Sequence, residues 1–135
     1  MPSITGGCLC GRVRYAATTP PAFNSLCHCR DCQRYTGSPF EAALVFPAAA
    51  FSLQGELRTY AAVGGTGRIV HRRFCPTCGS GVMNEADARP GIVIVLAGTL
   101  DDPTAFEPDA EVFCDFAQPW VHEGADRPRF SRSRG

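Results

Sequence analysis

Apolar and polar residues alternate over short stretches of this chain, a pattern typical of half-buried strands rather than of amphipathic helices. The predicted strands cover residues 12–16, 22–26, 40–46, 51–53, 57–60, 68–74, 91–100 and 111–116. Residues 91–100 are the most apolar and β-branched, so we expect a central strand there. Residues 31–35 form one or two helical turns that Gly37 and Pro39 would stop. The pattern predicts a mainly β domain with its sites at loops and strand ends.

Length and composition indicate one globular domain. The chain has 135 residues, of which 44% are hydrophobic and 19% charged. We expect a single zinc-binding β domain over residues 1–126 and a polar, arginine-rich, flexible tail over residues 127–135. The first residues lack the basic and apolar regions of a secretory signal, and the longest apolar run is too short to span a bilayer. These features predict a soluble, cytoplasmic protein without a membrane partner.

The formal charge is zero overall but uneven along the chain. Residues 1–80 carry eight arginines and three acidic residues, a net charge of +5, and residues 81–135 carry five arginines and ten acidic residues, a net charge of −5. A basic half can indicate a nucleic-acid partner. Bound zinc with its thiolate ligands would remove most of this excess, so the pattern disfavours nucleic acid. The glycine-rich stretch 64–67 lacks the Lys-Ser/Thr pair of a phosphate loop and is interpreted as a hairpin turn.

The cysteines carry the strongest chemical signal. Seven of the eight lie in three clusters: Cys8 and Cys10; Cys27, Cys29 and Cys32; Cys75 and Cys78. In a reducing compartment such spacings are typical of metal ligands or redox thiols. The two cysteines of a Cys-x-Cys pair are poorly placed to form a disulfide with each other, and are better placed to bind one shared metal ion. A thiol redox or iron-binding protein stays an alternative, although a redox Cys-x-x-Cys is expected in a βαβ unit, which the pattern lacks.

The segment 75–79, Cys-Pro-Thr-Cys-Gly, is a turn that brings two thiolates onto one ion and needs two more ligands. If Cys8 and Cys10 supply them, a tetrahedral structural zinc site is complete. Residues Cys27, Cys29 and Cys32 then hold a second ion with one open position, the arrangement typical of catalytic zinc.

Two other arrangements stay open. Pairing segment 75–79 with two of the middle three cysteines would leave Cys8 and Cys10 with Cys114 as their one remaining partner, so the spacing favours the first partition. The middle cluster could also hold a second, purely structural metal, with His28 or Cys114 completing the ligand set.

The motifs at 6–11, 27–34, 37–38 and 74–79 together resemble the glutathione-dependent formaldehyde-activating enzyme family. Residues 97–102 and 119–120 also fit the family pattern, so the resemblance extends from Gly6 to about Trp120. It implies a β-tent fold, in which small antiparallel sheets meet around a structural zinc, and two Zn²⁺ ions per chain. It also implies one division of the ligands: Cys8, Cys10, Cys75 and Cys78 at the structural zinc, and Cys27, Cys29 and Cys32 at the second. The family includes a centromere-associated vertebrate relative.

The activity that the resemblance implies is condensation of glutathione with formaldehyde to S-(hydroxymethyl)glutathione. The resulting hypothesis is a zinc-dependent carbon–sulfur lyase in which Cys27, Cys29 and Cys32 form the catalytic centre. Zinc in that centre would hold an incoming thiol as a thiolate, and the thiolate would attack a small aldehyde. The alternative is a non-catalytic zinc-binding module for a protein or nucleic-acid partner.

Four arginines near the clusters are candidates for clamping the carboxylates of glutathione. They are Arg30, Arg34, Arg72 and Arg73. For each one, a solvated charge that balances the metal thiolates is the preferred interpretation.

The remaining candidates have no assigned role. His28 is a candidate proton shuttle, with an exposed spectator preferred, and His71 and His122 are interpreted as strand and loop residues rather than ligands. Cys114 is expected to be a buried structural thiol. Trp120 is expected either to line a pocket or to pack in the core.

Overall fold

The computed structural model describes residues 4–121 and 126–134, so His122 lies outside the described residues. The strands, in chain order, are β1 Ile4–Gly7, β2 Arg14–Ala17, β3 Phe23–Cys27, β4 Glu41–Pro47, β5 Phe51–Gln54, β6 Arg58–Val63, β7 Ile69–Phe74, β8 Gly81–Ala86, β9 Ile92–Leu96 and β10 Ala110–Val112. The helix α1 spans Arg30–Thr36, and single 3₁₀ turns follow several of the strands. No helix in the described part of the chain is long and apolar enough to cross a membrane.

The strands form two sheets, which confirms the predicted mainly β fold of small sheets. One sheet has three antiparallel strands in the order β1-β2-β5. The other has seven strands in the order β10-β3-β4-β9-β8-β7-β6. Strand β10 runs parallel to β3, and the other neighbours are antiparallel. The prediction of a central strand is confirmed, because β9 lies in the middle of the larger sheet.

One apolar core joins the two sheets. Leu44 and Phe46 of β4 are fully buried, and burial of side chains of this size stabilises the fold by about 1.5–3 kcal/mol each. Tyr15 of the smaller sheet belongs to the same buried cluster. Cys8 and Cys75 are also members of it, so these two thiols lie where the sheets meet.

Two predicted strands are shorter than the sequence pattern indicates. The predicted strand 91–100 ends at Leu96 and continues as a 3₁₀ turn at Ala97–Thr99. The predicted strand 111–116 becomes β10, which ends at Val112. There Phe113 adopts a φ of 53°, in the left-handed region that a residue with a large side chain rarely occupies. This turn breaks the strand.

The alternation pattern also misassigned one hairpin. It predicted strands at 51–53 and 57–60 around a turn at Gly55, but β5 pairs with β2 and β6 pairs with β7. Gly55 has a φ of 100°, and a Cβ at this position would lie 2.4 Å from the carbonyl oxygen of Arg12. Glycine therefore lets the chain pass closely over the smaller sheet as it crosses to the larger one.

The described part of the arginine-rich C-terminal segment, residues 126–134, contacts strand β10. The backbone N–H of Glu111 donates to the carbonyl of Pro128 at 2.9 Å, and the N–H of Phe130 donates to the carbonyl of Glu111 at 2.8 Å. Arg127 and Arg129 also form ion pairs with the buried Glu111 carboxylate at 3.2 and 3.0 Å. The segment thus runs alongside β10, because β10 is the edge strand and leaves backbone groups to be paired. The domain boundary at residue 126 stays a prediction.

Candidate metal centres and pocket

Four cysteines from two distant parts of the chain converge beside the shared core of the two sheets, and we name them the four-thiol group. Cys8 and Cys10 follow β1, Cys75 follows β7, and Cys78 precedes β8. Their sulfur atoms all lie within 4.8 Å of one another. The Cys8–Cys10 and Cys10–Cys75 sulfur distances are 3.6 and 3.8 Å. This is the combination that the sequence spacing favours.

Backbone N–H groups point at these sulfurs. Val13 N–H donates to Cys8 Sγ at 3.3 Å, and the N–H groups of Thr77 and Cys78 donate to Cys75 Sγ at 3.4 and 3.5 Å. Such hydrogen bonds stabilise negative charge on sulfur.

The turn after Cys75 supports this arrangement. Gly79 has a φ of 78° and closes the turn by donating from its backbone N–H to the carbonyl of Cys75 at 2.9 Å. A hydrogen bond with the Ser80 hydroxyl lowers the pKa of the Cys78 thiol to about 5. A site of four thiols with N–H donors aimed at them fits the tetrahedral thiolate shell that zinc prefers.

The other cluster comes from one continuous segment, and we name it the three-thiol group. Cys27 ends β3, Cys29 is the N-cap residue of α1, and Cys32 lies in its first turn. The three sulfurs lie within 4.8 Å of one another. The Cys29 sulfur accepts from the backbone N–H of Cys32 at 3.3 Å, so the cap of this short helix is itself a candidate ligand.

The three thiols shift one another's pKa values. Hydrogen bonds from the Cys27 and Cys32 thiols lower the pKa of Cys29 to about 2. The same contact with Cys29 raises the pKa of Cys27 to about 12, and hydrogen bonds with Cys27 and Cys29 raise the pKa of Cys32. A thiolate held by neighbouring thiols is the donor type that binds soft and borderline cations, so this donor set also fits zinc.

A buried polar cluster adjoins the three-thiol group. The two terminal nitrogens of Arg72 lie 3.9 and 4.0 Å from Cys32 Sγ, and one of them lies 3.5 Å from Glu41 Oε1. The Asn84 side-chain amide donates to both Glu41 oxygens at 3.1 and 3.2 Å. The Arg72 guanidinium also lies over the Tyr35 ring, 5.1 Å from its centroid. Burial raises the pKa of the Glu41 carboxyl, although Arg72 and Asn84 oppose the shift.

Arg72 is a candidate that the sequence predicts, but its partners Glu41 and Asn84 are not. Glu41 begins β4, where a carboxylate within an otherwise apolar strand was the signal that could have drawn attention to it. Asn84 lies in β8, which the alternation pattern did not predict. The pairing of Arg72 with Asn84 across β7 and β8 depends on sheet register, which the sequence pattern does not reveal.

A pocket of about 160 Å³ opens beside the three-thiol group on one face of the seven-stranded sheet. Its polar lining near the thiols includes Glu41, Arg72 and Asn84, and its remaining walls are largely apolar. The four-thiol group contributes none of its residues to the described lining of this pocket. The three-thiol group contributes all three of its cysteines. The two groups thus differ in whether they face this pocket.

His28 is not the exposed spectator that was expected, and its side chain does not belong to the three-thiol group. It is 1% exposed, and its Nε2 atom lies 2.7 Å from Glu111 Oε1. Its ligand atom groups with those of Glu111 and Cys114 instead. Alternation along the extended segment explains this, since Cys27 and Cys29 turn to one side and His28 to the other. His71 pairs with Asp87 at 3.0 Å, outside both thiol groups.

Three of the four candidate arginines do not reach the pocket. Arg30 donates to the Gln33 side chain at 2.5 Å and Arg34 is exposed. Arg73 pairs with Glu85 at 3.0 Å. Among the described lining residues, Arg89 and Arg134 join Arg72 as arginines, and the sequence analysis had singled out neither of them.

Two further expectations differ from the structure. Trp120 neither packs in the core nor lines the pocket, because it is 65% exposed and lies outside the described lining. Cys114 is half-buried rather than fully buried, and desolvation raises the pKa of its thiol. All eight cysteines are free thiols in the structure.

Comparison with known proteins agrees with the resemblance. The model of the family described as "Glutathione-dependent formaldehyde-activating enzyme" matches residues 3–116. A crystal structure of a Rhodobacter sphaeroides protein is similar with a TM-score of 0.58 and 21% sequence identity, over 93% of this chain and 98% of that chain. At this identity the similarity supports the fold alone. None of the curated proteins compared with the chain matches it.

Proposed function

Because the chain belongs to the glutathione-dependent formaldehyde-activating enzyme family, we propose that it is a carbon–sulfur lyase that joins a thiol to a small aldehyde. The proposed substrates are glutathione and formaldehyde. The proposed cofactors are two Zn²⁺ ions, a structural one on the four-thiol group and a catalytic one on the three-thiol group. The proposed setting is the cytoplasm, whose reducing conditions would keep the thiols free.

One observation supports the proposed division into a structural and a catalytic zinc centre. Cys27, Cys29 and Cys32 line the pocket, whereas none of the four-thiol group does, and its Cys8 and Cys75 are buried in the core between the sheets. Four thiols complete a tetrahedral shell, and three leave one position for a ligand from the pocket. Zinc bound by the three thiols would supply that position, in which a substrate thiol is held as its thiolate.

The residues of this chain would support the reaction in three ways. Cys27, Cys29 and Cys32 would carry negative charge, which favours a nucleophilic substrate sulfur over activation of water. Arg72, beside Cys32, offsets part of this buried negative charge. A bound substrate would displace water from the pocket, which would strengthen these electrostatic interactions. In the reaction, the substrate sulfur forms a bond to the carbonyl carbon, and the carbonyl oxygen takes the proton that the thiol gives up.

The test is the Cys29→Ser variant with Cys114→Ser as a matched control. We expect Cys29→Ser to stay folded, to bind one zinc ion instead of two, and to lose glutathione binding measured by calorimetry. Cys114→Ser also removes one half-buried thiol, but it should keep both ions and bind glutathione normally. Metal analysis counts the ions, and circular dichroism measures folding.

Two results would overturn the proposal. Retention of two zinc ions and of glutathione binding in Cys29→Ser would show that the three-thiol group is not the thiol-binding centre. Unfolding of Cys29→Ser together with loss of both ions would show that both centres are structural.

A further inference from the structure

The pocket beside the three-thiol group carries positive charge at the end opposite the thiols. Alternate residues of β3 line it, with Cys27 at the thiols, Ser25 in the middle and Phe23 at the far end. Four residues at about 3.3 Å each separate Cys27 from Phe23 by roughly 13 Å along the strand. The guanidiniums of Arg89 and Arg134 lie 5.8 and 4.8 Å from the centroid of the Phe23 ring, and both residues line the pocket.

Two separate parts of the fold bring these arginines to the same ring. Arg89 lies in the turn between β8 and β9, where its backbone N–H donates to the carbonyl of Ala86 at 3.0 Å. Arg134 belongs to the C-terminal segment that runs alongside β10. This segment lies beyond residues 3–116, the part of the chain that the family model matches. The family pattern therefore assigns no role to Arg134.

Asp109 holds Arg134 from outside the pocket. The Nη1 atom of Arg134 lies 2.8 Å from Asp109 Oδ1, and Asp109 is not among the described lining residues. The other oxygen of Asp109 accepts from the backbone N–H of Asn24 at 3.0 Å, which fixes the carboxylate at the Phe23 end of β3. The ion pair uses one nitrogen of the guanidinium, and a guanidinium has donors on three nitrogens. Arg134 can therefore keep Asp109 and also donate to a ligand.

Arg72, at the thiol end, is less suited to bind a ligand carboxylate. Its guanidinium already lies beside the buried Glu41 carboxylate and the Cys32 sulfur. A ligand would have to compete with a buried ion pair, which is costly to break. The side chains of Arg134 and Asp109 are 28% and 48% exposed, so a solute reaches them without disturbing a buried charge.

Glutathione carries its two carboxylates at different distances from its sulfur. The carboxyl carbon of its glycine is about six bonds from the sulfur, and the α-carboxyl carbon of its γ-glutamyl residue is about eight. An extended chain advances about 3.3–3.6 Å for each three bonds, so the two arms reach about 7 and about 9 Å. The longer arm covers more of the roughly 13 Å between the two ends of the pocket, and long arginine side chains can cover the rest.

We propose that Arg89 and Arg134 bind the α-carboxylate of the γ-glutamyl residue of glutathione while its sulfur occupies the three-thiol centre. This inference rests on the proposed function, because it takes glutathione as the thiol and names the residues that select it. Hydrogen bonds between guanidinium and carboxylate groups are charge-assisted and often bidentate, so they favour a thiol that carries this carboxylate over one that lacks it. Formaldehyde stays the aldehyde of the reaction.

The first test compares two thiols on the zinc-loaded protein. N-acetylcysteinylglycine keeps the thiol and the glycine carboxylate of glutathione, but an acetyl group replaces the γ-glutamyl residue. We expect calorimetry to show that glutathione binds at least about tenfold more tightly, because a hydrogen bond to a charged group contributes about that factor.

The second test uses Arg134→Gln with Arg132→Gln as its matched control. Arg132 lies on the same segment, pairs with Asp115 at 3.7 Å and is not among the described lining residues. We expect Arg134→Gln to weaken glutathione binding about tenfold and to leave N-acetylcysteinylglycine binding unchanged. Arg132→Gln should change neither, and Arg89→Gln should reproduce the effect of Arg134→Gln. If Arg134→Gln does not fold, Arg89→Gln and the comparison of the two thiols decide.

The possible outcomes separate this inference from the proposed function. Equal binding of the two thiols, or equal effects of Arg134→Gln and Arg132→Gln on glutathione, would overturn the inference even if glutathione binding depends on Cys29. Selective loss of glutathione binding in Arg134→Gln supports it. If Cys29→Ser still binds glutathione normally and Arg134→Gln does not, the result counts against the proposed function and leaves the carboxylate site in place.

Discussion

The two thiol groups of this protein both consist of cysteines, but they occupy different places in the fold. The four-thiol group joins residues 8–10 to residues 75–78, and two of its cysteines, Cys8 and Cys75, are buried in the core that both sheets share. The three-thiol group comes from one segment of six residues and opens onto a pocket. One group therefore links distant parts of the chain, and the other places three local thiols in the wall of a pocket.

Under the proposed division of roles, the position of each thiol group in the fold distinguishes the two groups better than their chemistry does. Each group has sulfur donors and hydrogen bonds from backbone N–H groups. Only the three-thiol group has a charged neighbour, the Arg72–Glu41 pair, among the described contacts to its sulfurs. Metal binding by distant ligands contributes directly to folding. Metal binding by a local segment contributes less, because that segment is already held by β3 and α1.

The largest effect is expected for loss of a ligand from the four-thiol group. Cys78→Ser should prevent folding at neutral pH, since structural zinc supplies folding free energy on the order of 10 kcal/mol. Circular dichroism and zinc content measure the result. Cys114→Ser, the control, should fold normally. A stable Cys78→Ser protein would contradict the structural role of this group.

A smaller loss of stability is expected when the buried ion pair beside the three-thiol group is removed. Arg72→Ala leaves the Glu41 carboxylate, which is 4% exposed, without its ion partner and should destabilise the protein by about 3 kcal/mol. Arg73→Ala is the control, because Arg73 forms a surface pair with Glu85 and should lose less than about 1 kcal/mol. Urea unfolding measures both. Equal losses would mean that the buried pair gives the three-thiol group no special support.

A chelator should distinguish the two centres without any mutation. We expect EDTA to remove the zinc of the three-thiol group first, because three protein ligands leave one position open to the chelator, while far-ultraviolet ellipticity stays unchanged. Removal of the second ion should coincide with unfolding. A colorimetric indicator measures zinc release while ellipticity is recorded in parallel, and together they give the order in which the two ions and the folded structure are lost. Simultaneous loss of both ions and of structure would remove the distinction between the groups.

The smallest effect on stability is expected for an ion pair that stabilises the three-stranded sheet without a metal ion. Arg14 of β2 and then Thr5 bind the exposed Asp101 carboxylate and lower its pKa from 3.8 to about 2. Because the folded pKa is depressed, this stabilisation is fully present above about pH 4 and is lost as the pH falls through 2. Asp101→Asn should flatten the acid dependence of stability slightly in this window.

The control for the acid experiment is Asp102→Asn. Its side chain caps the turn at Pro103–Ala105, and an asparagine keeps the capping oxygen. Thermal melts between pH 2 and 5 should therefore show the flattened profile for Asp101→Asn and the normal profile for Asp102→Asn. Identical profiles for all three proteins would show that the Arg14–Asp101 pair does not affect stability.

Sequence reasoning predicted most of what depends on neighbours in the chain. The alternation pattern located β2, β3, β4 and β7 to within a few residues, because a two-residue period is a local property. It missed β1 and β8. Strand β1 contains Gly6 and Gly7, which have low strand propensity, yet a Cβ at Gly6 would lie 2.3 Å from the carbonyl oxygen of Thr99. Close packing against another segment places glycine there, and a local pattern does not register that contact.

By itself, the sequence determined the mainly β class, the three cysteine clusters and the family, because composition, periodicity and spacing are written along the chain. Tertiary structure alone decided how the chain divides into two sheets and what surrounds the thiols. It brought Glu41, Arg72 and Asn84 together, turned His28 toward Glu111, and set the C-terminal segment against β10. These contacts join residues up to 83 positions apart. They depend on strand register and on burial of charge, which become defined only when the whole chain packs.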